Sequence, residues 1–248
     1  MSRYKLTLEY DGRPFVGWQR QKKGDSVQAA LERAVLALSG EAVTVFGAGR
    51  TDAGVHATGQ VAHFDMSKSL RWDTVRDGLN YHLKPQPIAV LLVEPVDDTF
   101  HARFSAKGRV YQYLILARRA PAALDRAHVW HVPVVLDDKA MHRAAQGLVG
   151  QHDFTSFRAG DCQAKSPVRT LDRLAVERTD DLITITACAR SFLRSQVRVI
   201  VGSIKLVGEG HWAVDDVARA LERRDRSAAG PTAPADGLYL RSVRYVSD

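Results

Sequence analysis

The segment GAGRTDAGVHATGQVAHF, residues 47–64, sets Gly47, Gly49, Gly54 and Gly59 around the triplet Arg50, Thr51 and Asp52. Glycine at that density marks a tightly turned backbone. A compact loop ending in Arg-Thr-Asp can hold a carboxylate and a guanidinium at the mouth of a cleft, with the next strand as rigid support. That is a setting for nucleophilic or acid–base work by Asp52. Spacing alone leaves other accounts open. Asp52 can cap a turn while Arg50 is a solvated charge. Asp52, His56 and His63 can also be taken as metal ligands and, with Asp65, as the site of a metal-dependent nuclease or phosphoesterase. Their intervals match no standard zinc pattern, however, and a phosphate-loop lysine is absent.

The elements that must position this loop follow from periodicity. Residues 3–10 alternate as a strand. Gly24, Asp25 and Ser26 introduce a helix whose apolar face is Val27, Ala30, Leu31, Ala34, Val35 and Leu38, ended by Gly40. Strands are expected near 42–46 and 58–65, then a helix carrying Val75, Leu79 and Leu83, then the strand IAVLLVEPV. The order is β-α-β-β-α-β, and the second half repeats it. A strand at 109–116 leads to a helix with Met141, Ala144, Ala145, Leu148 and Val149 closed by Gly150. Strands near 168–178 and 181–190 follow, then a helix with Leu193, Val197, Ile200, Val201 and Ile204 on one face, and a last strand in GLYLRSVRYV. The expected fold is α+β: two tandem ferredoxin-like halves, residues 1–104 and 105–248, forming a mixed, mainly antiparallel sheet with a central cleft.

With 35 Lys and Arg against 28 Asp and Glu, the net charge of +7 draws polyanions, and nucleic acid is the leading partner. No apolar stretch approaches the roughly 20 residues of a membrane span, and the N-terminus lacks the apolar run of a signal peptide, so a cytoplasmic protein is expected. Cys162 and Cys188 are too few for a disulfide framework and are read as free thiols.

The stretch RTDAGVHATGQVAHF resembles the signature of the bacterial tRNA pseudouridine synthase A family. Further segments resemble that family in order: YDGRPFVGWQRQ, FHARFSAKGRVYQYLI, HDFTSFRAGDCQAKSPVRT, SFLRSQVRVIVGS and AGPTAPADGLYL. The resemblance implies the pseudouridine synthase fold and an enzyme that isomerises uridine at positions 38–40 of the tRNA anticodon arm. It also implies a homodimer. The reaction exchanges no atoms or electrons with a second substrate, so no cofactor is expected.

On this resemblance Asp52 is the catalytic carboxylate, Arg198 the guanidinium that keeps it ionised and aimed, and Tyr111 the aromatic that stacks on uracil and can accept its proton. Tyr113 shares a strand face with Tyr111, so alternation does not say which of the two is in the site. Leu238 resembles the apolar residue packed on the target base. Arg50 is placed to fill the space vacated by a flipped nucleotide. Arg103, Lys107, Arg109, Arg158, Lys165 and Arg169 are expected to contact the RNA backbone. Arg223, Arg224 and Arg226 are equally a solvated loop. The chain departs from the family at Arg194, Ser195 and Gln196, where His-His-Met is common, and at Val199. LKPQPI also lacks an acid that could cap the turn before the next strand. A rival reading is an RNA-binding module without catalysis.

Overall fold

A computed structural model of the chain describes residues 1–245. It divides into two compact units, Met1–Lys107 with the segment from Tyr239 onward, and Gly108–Leu238.

In the first unit, β1 (Ser2–Tyr10) leads to α1 (Val27–Ser39), β2 (Phe46–Gly47), β3 (His56–Met66), α2 (Trp72–Leu83) and β4 (Ile88–Val96). β1 lies between β3 and β4, antiparallel to both, and β2 pairs antiparallel with β3. This is the expected βαββαβ unit. Helix α1 starts where Ser26 Oγ accepts the Ala29 N–H, and stops at Gly40 (φ +77°), whose N–H reaches the Leu36 carbonyl. Its buried face contains Val27, Ala30, Leu31, Ala34 and Val35 as the pattern requires, and α2 buries Val75, Leu79 and Leu83.

The strand expected at 42–46 shrinks to Phe46–Gly47. Val45 is instead satisfied by helix side chains: its N–H donates to Glu32 Oε1 and its carbonyl accepts from Gln28 Nε2, both at 3.1 Å. Backbone polar groups need partners, and here α1 supplies them in place of a ladder. The turn after α2 closes without a capping acid, through the Gln86 N–H on the Leu83 carbonyl at 2.7 Å.

In the second unit, β5 (Gly108–Ala117) is followed by β6 (Trp130–Val132), α3 (Asp138–Gln146), β7 (Gly150–Asp153), β8 (Val168–Thr179), β9 (Leu182–Ala189), α4 (Gln196–Gly208) and α5 (Asp216–Arg223). The antiparallel order is β5-β9-β8-β7, with β6 parallel to β5. α3 stops at Gln146, so Leu148 and Val149 lie beyond it, and Gly150 at φ +103° opens β7. β6, β7 and α5 are additions to the expected elements. α5 buries Val217, Ala220 and Leu221, a legible i, i+3, i+4 stripe.

The last strand, β10 (Leu238–Arg244), runs parallel to β3, with Tyr239 opposite His56 and Leu240 opposite Ala57. That pairing groups it with the first unit, so the compact units differ from halves at 1–104 and 105–248. Val246, the end of the expected strand, lies outside the described residues.

Candidate active site

Asp52 stands on the loop between β2 and β3, and the YDGRPFVGWQ segment holds that loop by its backbone. The Trp18 N–H donates to the Thr51 carbonyl at 3.0 Å and the Gly54 N–H to the Phe15 carbonyl at 3.4 Å. Two glycines permit this approach. A Cβ on Gly12 would lie 2.1 Å from the Val55 oxygen, and one on Gly17, at φ +116°, would lie 2.7 Å from the Thr51 oxygen. Inside the loop, buried Thr51 shares a hydrogen bond of 2.9 Å with the Tyr10 hydroxyl, and Gln60 Nε2 donates to the Gly49 carbonyl at 2.9 Å. Burial pushes the Tyr10 phenol up to about 12 despite the bonds to Thr51 and Gln60, so it stays protonated. Asp52 is half-buried and Arg50 exposed, which leaves the carboxylate on a rigid base with access to a ligand.

His56, at the start of β3, accepts the Gly12 N–H on Nδ1 at 3.2 Å, with Asp11 Oδ1 also 3.2 Å from that atom and the Tyr239 ring stacked on the imidazole at 4.8 Å. Burial raises the Asp11 carboxyl, but bonds from Arg13 and the nearby imidazole outweigh it and hold the group at about 2. His63 Nδ1 accepts the Ala102 N–H at 3.1 Å, and Asp65 makes two bonds of 2.7 Å to Arg3. His56, His63 and Asp65 thus each hold a neighbour within the first unit.

The second unit carries Tyr111, Arg198 and Leu238. The two tyrosines of β5 separate clearly. Tyr113 is fully buried, donates its hydroxyl to the Pro234 carbonyl at 2.8 Å, meets Trp130 edge-on and is held well above the usual phenol range by burial. Tyr113 is therefore a core residue. Tyr111 keeps 9% exposure, with Phe192 edge-on at 5.1 Å fixing its ring.

Arg198, in the first turn of α4, is half-buried and donates Nε to the Ala233 carbonyl at 2.8 Å, while the Ala233 N–H returns a bond of 3.1 Å to the Arg198 carbonyl. The segment AGPTAPADGL is thereby tied along α4, and again glycine allows it: a Cβ on Gly202 would sit 1.8 Å from the Pro231 oxygen. Leu238, 5% exposed, ends that segment, its N–H on the Ala235 carbonyl at 2.8 Å. The departures next to Arg198 have local uses. Arg194 pairs with Asp161, Ser195 takes the left-handed backbone (φ +57°) ahead of α4, and Gln196 Oε1 accepts the Leu193 N–H at 2.8 Å.

Of the arginines and lysines expected on RNA, Arg103, Lys107 and Lys165 are exposed, and Arg158 and Arg169 half-buried. Arg103 lies over the Phe104 ring at 5.7 Å, and Arg169 is tied back to the Ser166 and Val168 carbonyls. Arg109 differs: it is 8% exposed and donates to the Arg190 carbonyl, an internal guanidinium of the β5 end.

Residues 7–105 and 144–246 match the family described as tRNA pseudouridine synthase. The chain belongs to that family. The tRNA pseudouridine synthase A of Rhodospirillum centenum is 63% identical over 99% of this chain and 100% of its own length. Those of Paramagnetospirillum magneticum and Nitrobacter hamburgensis are each 60% identical over 99% of this chain, and over 96% and 100% of their own lengths. Both family blocks include the segments described above: the first holds the Asp52 loop and the glycines beneath it, the second Arg198 and Leu238. Tyr111 falls between the two matched blocks. Among the described residues no helix is long and apolar enough to cross a membrane.

Proposed function

We propose that this member of the tRNA pseudouridine synthase family isomerises uridine to pseudouridine at positions 38–40 of the tRNA anticodon stem-loop, with Asp52 as the nucleophile. The observation that carries the assignment of Asp52 is its seat: an accessible carboxylate on a loop pinned at Thr51 and Gly54 by the backbone of residues 15–18. Placement that tight lowers the entropic cost of reaching a near-attack geometry.

The chemistry breaks the bond from C1' to N1 of uracil, turns the base, and joins C1' to C5. The C5 proton is then lost and N1 gains one, so atoms and electrons balance with no second reactant. Tyr111 stacks on the base and its hydroxyl accepts the C5 proton; Leu238 packs against the ring and keeps it from escaping. Arg198 supplies the guanidinium of the proposed chemistry. Arg50 enters the space left when the nucleotide flips out, a step costing a few kcal/mol. Arg103, Lys107, Arg158, Lys165 and Arg169 steer the polyanion, whereas buried Arg109 braces the strand. The enzyme acts in the cytoplasm as a homodimer, which sedimentation equilibrium tests directly.

The deciding experiment is tritium release from tRNA labelled at uridine C5, in EDTA, by the native chain, Asp52→Ala and Asp52→Asn. Native protein is expected to release tritium at the same rate with and without chelator, and both variants to bind tRNA and release none. Native protein that binds tRNA and releases nothing would make the chain a binder without catalysis.

A further inference from the structure

Two short 3-10 turns in the second unit, Thr155–Phe157 and Arg226–Ala228, lie against each other. The Oγ of fully buried Ser156 accepts the Asp225 N–H at 2.9 Å and locks them together. Between them opens a cleft of about 240 Å³ walled by Thr155, Arg158, Gly160, Arg224, Asp225 and Arg226. Three guanidiniums therefore meet at one concavity in a segment the catalytic reading does not use.

The carboxylates nearby have other tasks. Asp153 accepts from the N–H and hydroxyl of Thr155 at 2.9 and 2.7 Å, and Asp225 does the same for Ser227 at 2.9 and 2.7 Å, so each caps its turn. Arg226 is fixed by neutral acceptors, the Gly230 carbonyl at 3.0 Å and Thr232 Oγ1 at 3.1 Å. Arg224 is largely exposed and reaches Asp153 only at 3.7 Å. Among the described residues Arg158 forms no ion pair. Three guanidiniums that outnumber the two carboxylates nearby, Asp153 and Asp225, both already capping turns, make an oxyanion seat, since the planar fork matches two oxygens of a phosphate.

We propose that Arg158, Arg224 and Arg226 bind a backbone phosphate of the RNA substrate at this cleft. The inference rests on the tRNA reading above and adds a docking point to it. Arg226 also holds the Gly230 carbonyl, and the Gly230 N–H donates to Ser203 Oγ of α4 at 2.9 Å, so a phosphate seated here is braced against the helix that carries Arg198.

The test measures tRNA affinity against salt for the native chain, the Arg158→Gln/Arg224→Gln double variant, and Arg119→Gln, an exposed arginine elsewhere in the unit. Each phosphate contact contributes about 0.9 to the slope of log affinity on log salt. With one phosphate contact removed, the double variant is expected to lose about 0.9 of slope, cutting the affinity ratio between 50 and 200 mM salt about 3.5-fold. Arg119→Gln should keep the native slope. Gly160→Asp tests the seat without removing an arginine, because a Cβ there meets nothing within 4 Å, and it should weaken binding where Gly160→Ser does not. Inorganic phosphate at matched ionic strength should compete with tRNA on the native chain and lose that effect in the double variant. A double-variant slope equal to the native one, or phosphate competition with no change of slope, overturns the proposal. Tritium release by the native chain is scored separately, so its absence would remove the isomerase reading while the slope still decides the seat.

Discussion

Replacing Gly17 by alanine tests whether the Asp52 loop owes its placement to backbone contact. The new Cβ would stand 2.7 Å from the Thr51 carbonyl oxygen and 3.3 Å from the Asp52 carbonyl carbon, where ordinary contact begins at 3.4 Å. The neighbour on the closer side is backbone, so about 0.7 Å of movement must be taken up by the peptide that leads into Asp52. Gly17 also has φ +116°, a region costing an L-residue roughly 1–2 kcal/mol. Crowding adds about 1–3 kcal/mol. Gly40→Ala is the internal control, because Gly40 has φ +77° and open space around its Cβ position. Calorimetry should show Gly17→Ala melting several degrees below Gly40→Ala, at about 2–4 °C per kcal/mol for a chain of this size. Single-turnover tritium release should fall by roughly tenfold or more in Gly17→Ala, since misplacing a reacting group by about 1 Å can cost on the order of a hundredfold. Gly40→Ala should turn over like the native chain. Equal melting of the two variants together with native turnover in Gly17→Ala would refute the claim that this packing aims Asp52.

Three more outcomes follow from the same geometry. Tyr113→Phe leaves the Pro234 carbonyl without its donor and should cost about 1–3 kcal/mol in urea unfolding while tritium release stays within a few-fold, whereas Tyr111→Phe should do the reverse. Gly202→Ala places a Cβ 1.8 Å from the Pro231 oxygen, and chemical denaturation should show a loss of about 3 kcal/mol with weakened catalysis, because the displaced segment carries the Ala233 partner of Arg198. Burial, helped by the charges of His101 and Arg3, lowers the His63 imidazole from 6.5 to about 4. The unfolded chain therefore takes the proton first: stability is full above about pH 6.5 and declines as pH falls toward 4. His63→Asn, which keeps an acceptor for the Ala102 N–H, should flatten stability profiles in that window, and an unchanged profile would assign the acid loss to other groups.

Much of the fold was legible because its elements bury one face at a regular period. Of the positions read as the core of α1 and α2 all but Leu38, which is half-buried, are buried, and IAVLLVEPV spans β4 residue for residue. The failures share a cause. Period describes packing, whereas residues 42–45 and the end of α3 are settled by particular residues: Glu32 and Gln28 reaching Val45, and Gly147 ending the helix before Leu148. Tyr111 and Tyr113 were inseparable by alternation for the same reason, since what divides them is the Pro234 carbonyl, over 120 residues away in the chain. Arg109 looked like any strand arginine until its bond to Arg190 placed it inside.

The candidate site was legible as residue types and illegible as support. Glycine density around Arg50–Asp52 signalled a tight loop, yet the glycines that matter most for its placement include Gly12 and Gly17, in a different segment. The second unit uses the same device, with Gly202 and Gly230 letting the chain lie directly on α4, where the Ala233 N–H bonds the Arg198 carbonyl and Arg198 Nε bonds the Ala233 carbonyl. Side-chain support can be repacked by substitution, but a carbonyl held against the Cα of a glycine tolerates no larger residue there. In both units, then, a segment beside a proposed catalytic group is set by main-chain contact: the Asp52 loop on residues 15–18, and residues 229–238 on helix α4 beside Arg198. That construction leaves Asp52 and Arg198 half-buried on constrained backbone. It also explains why the unusual Arg194, Ser195 and Gln196 can be accommodated: the placement of Arg198 rests on its own bonds to Ala233, made on the far side of those three residues along the chain.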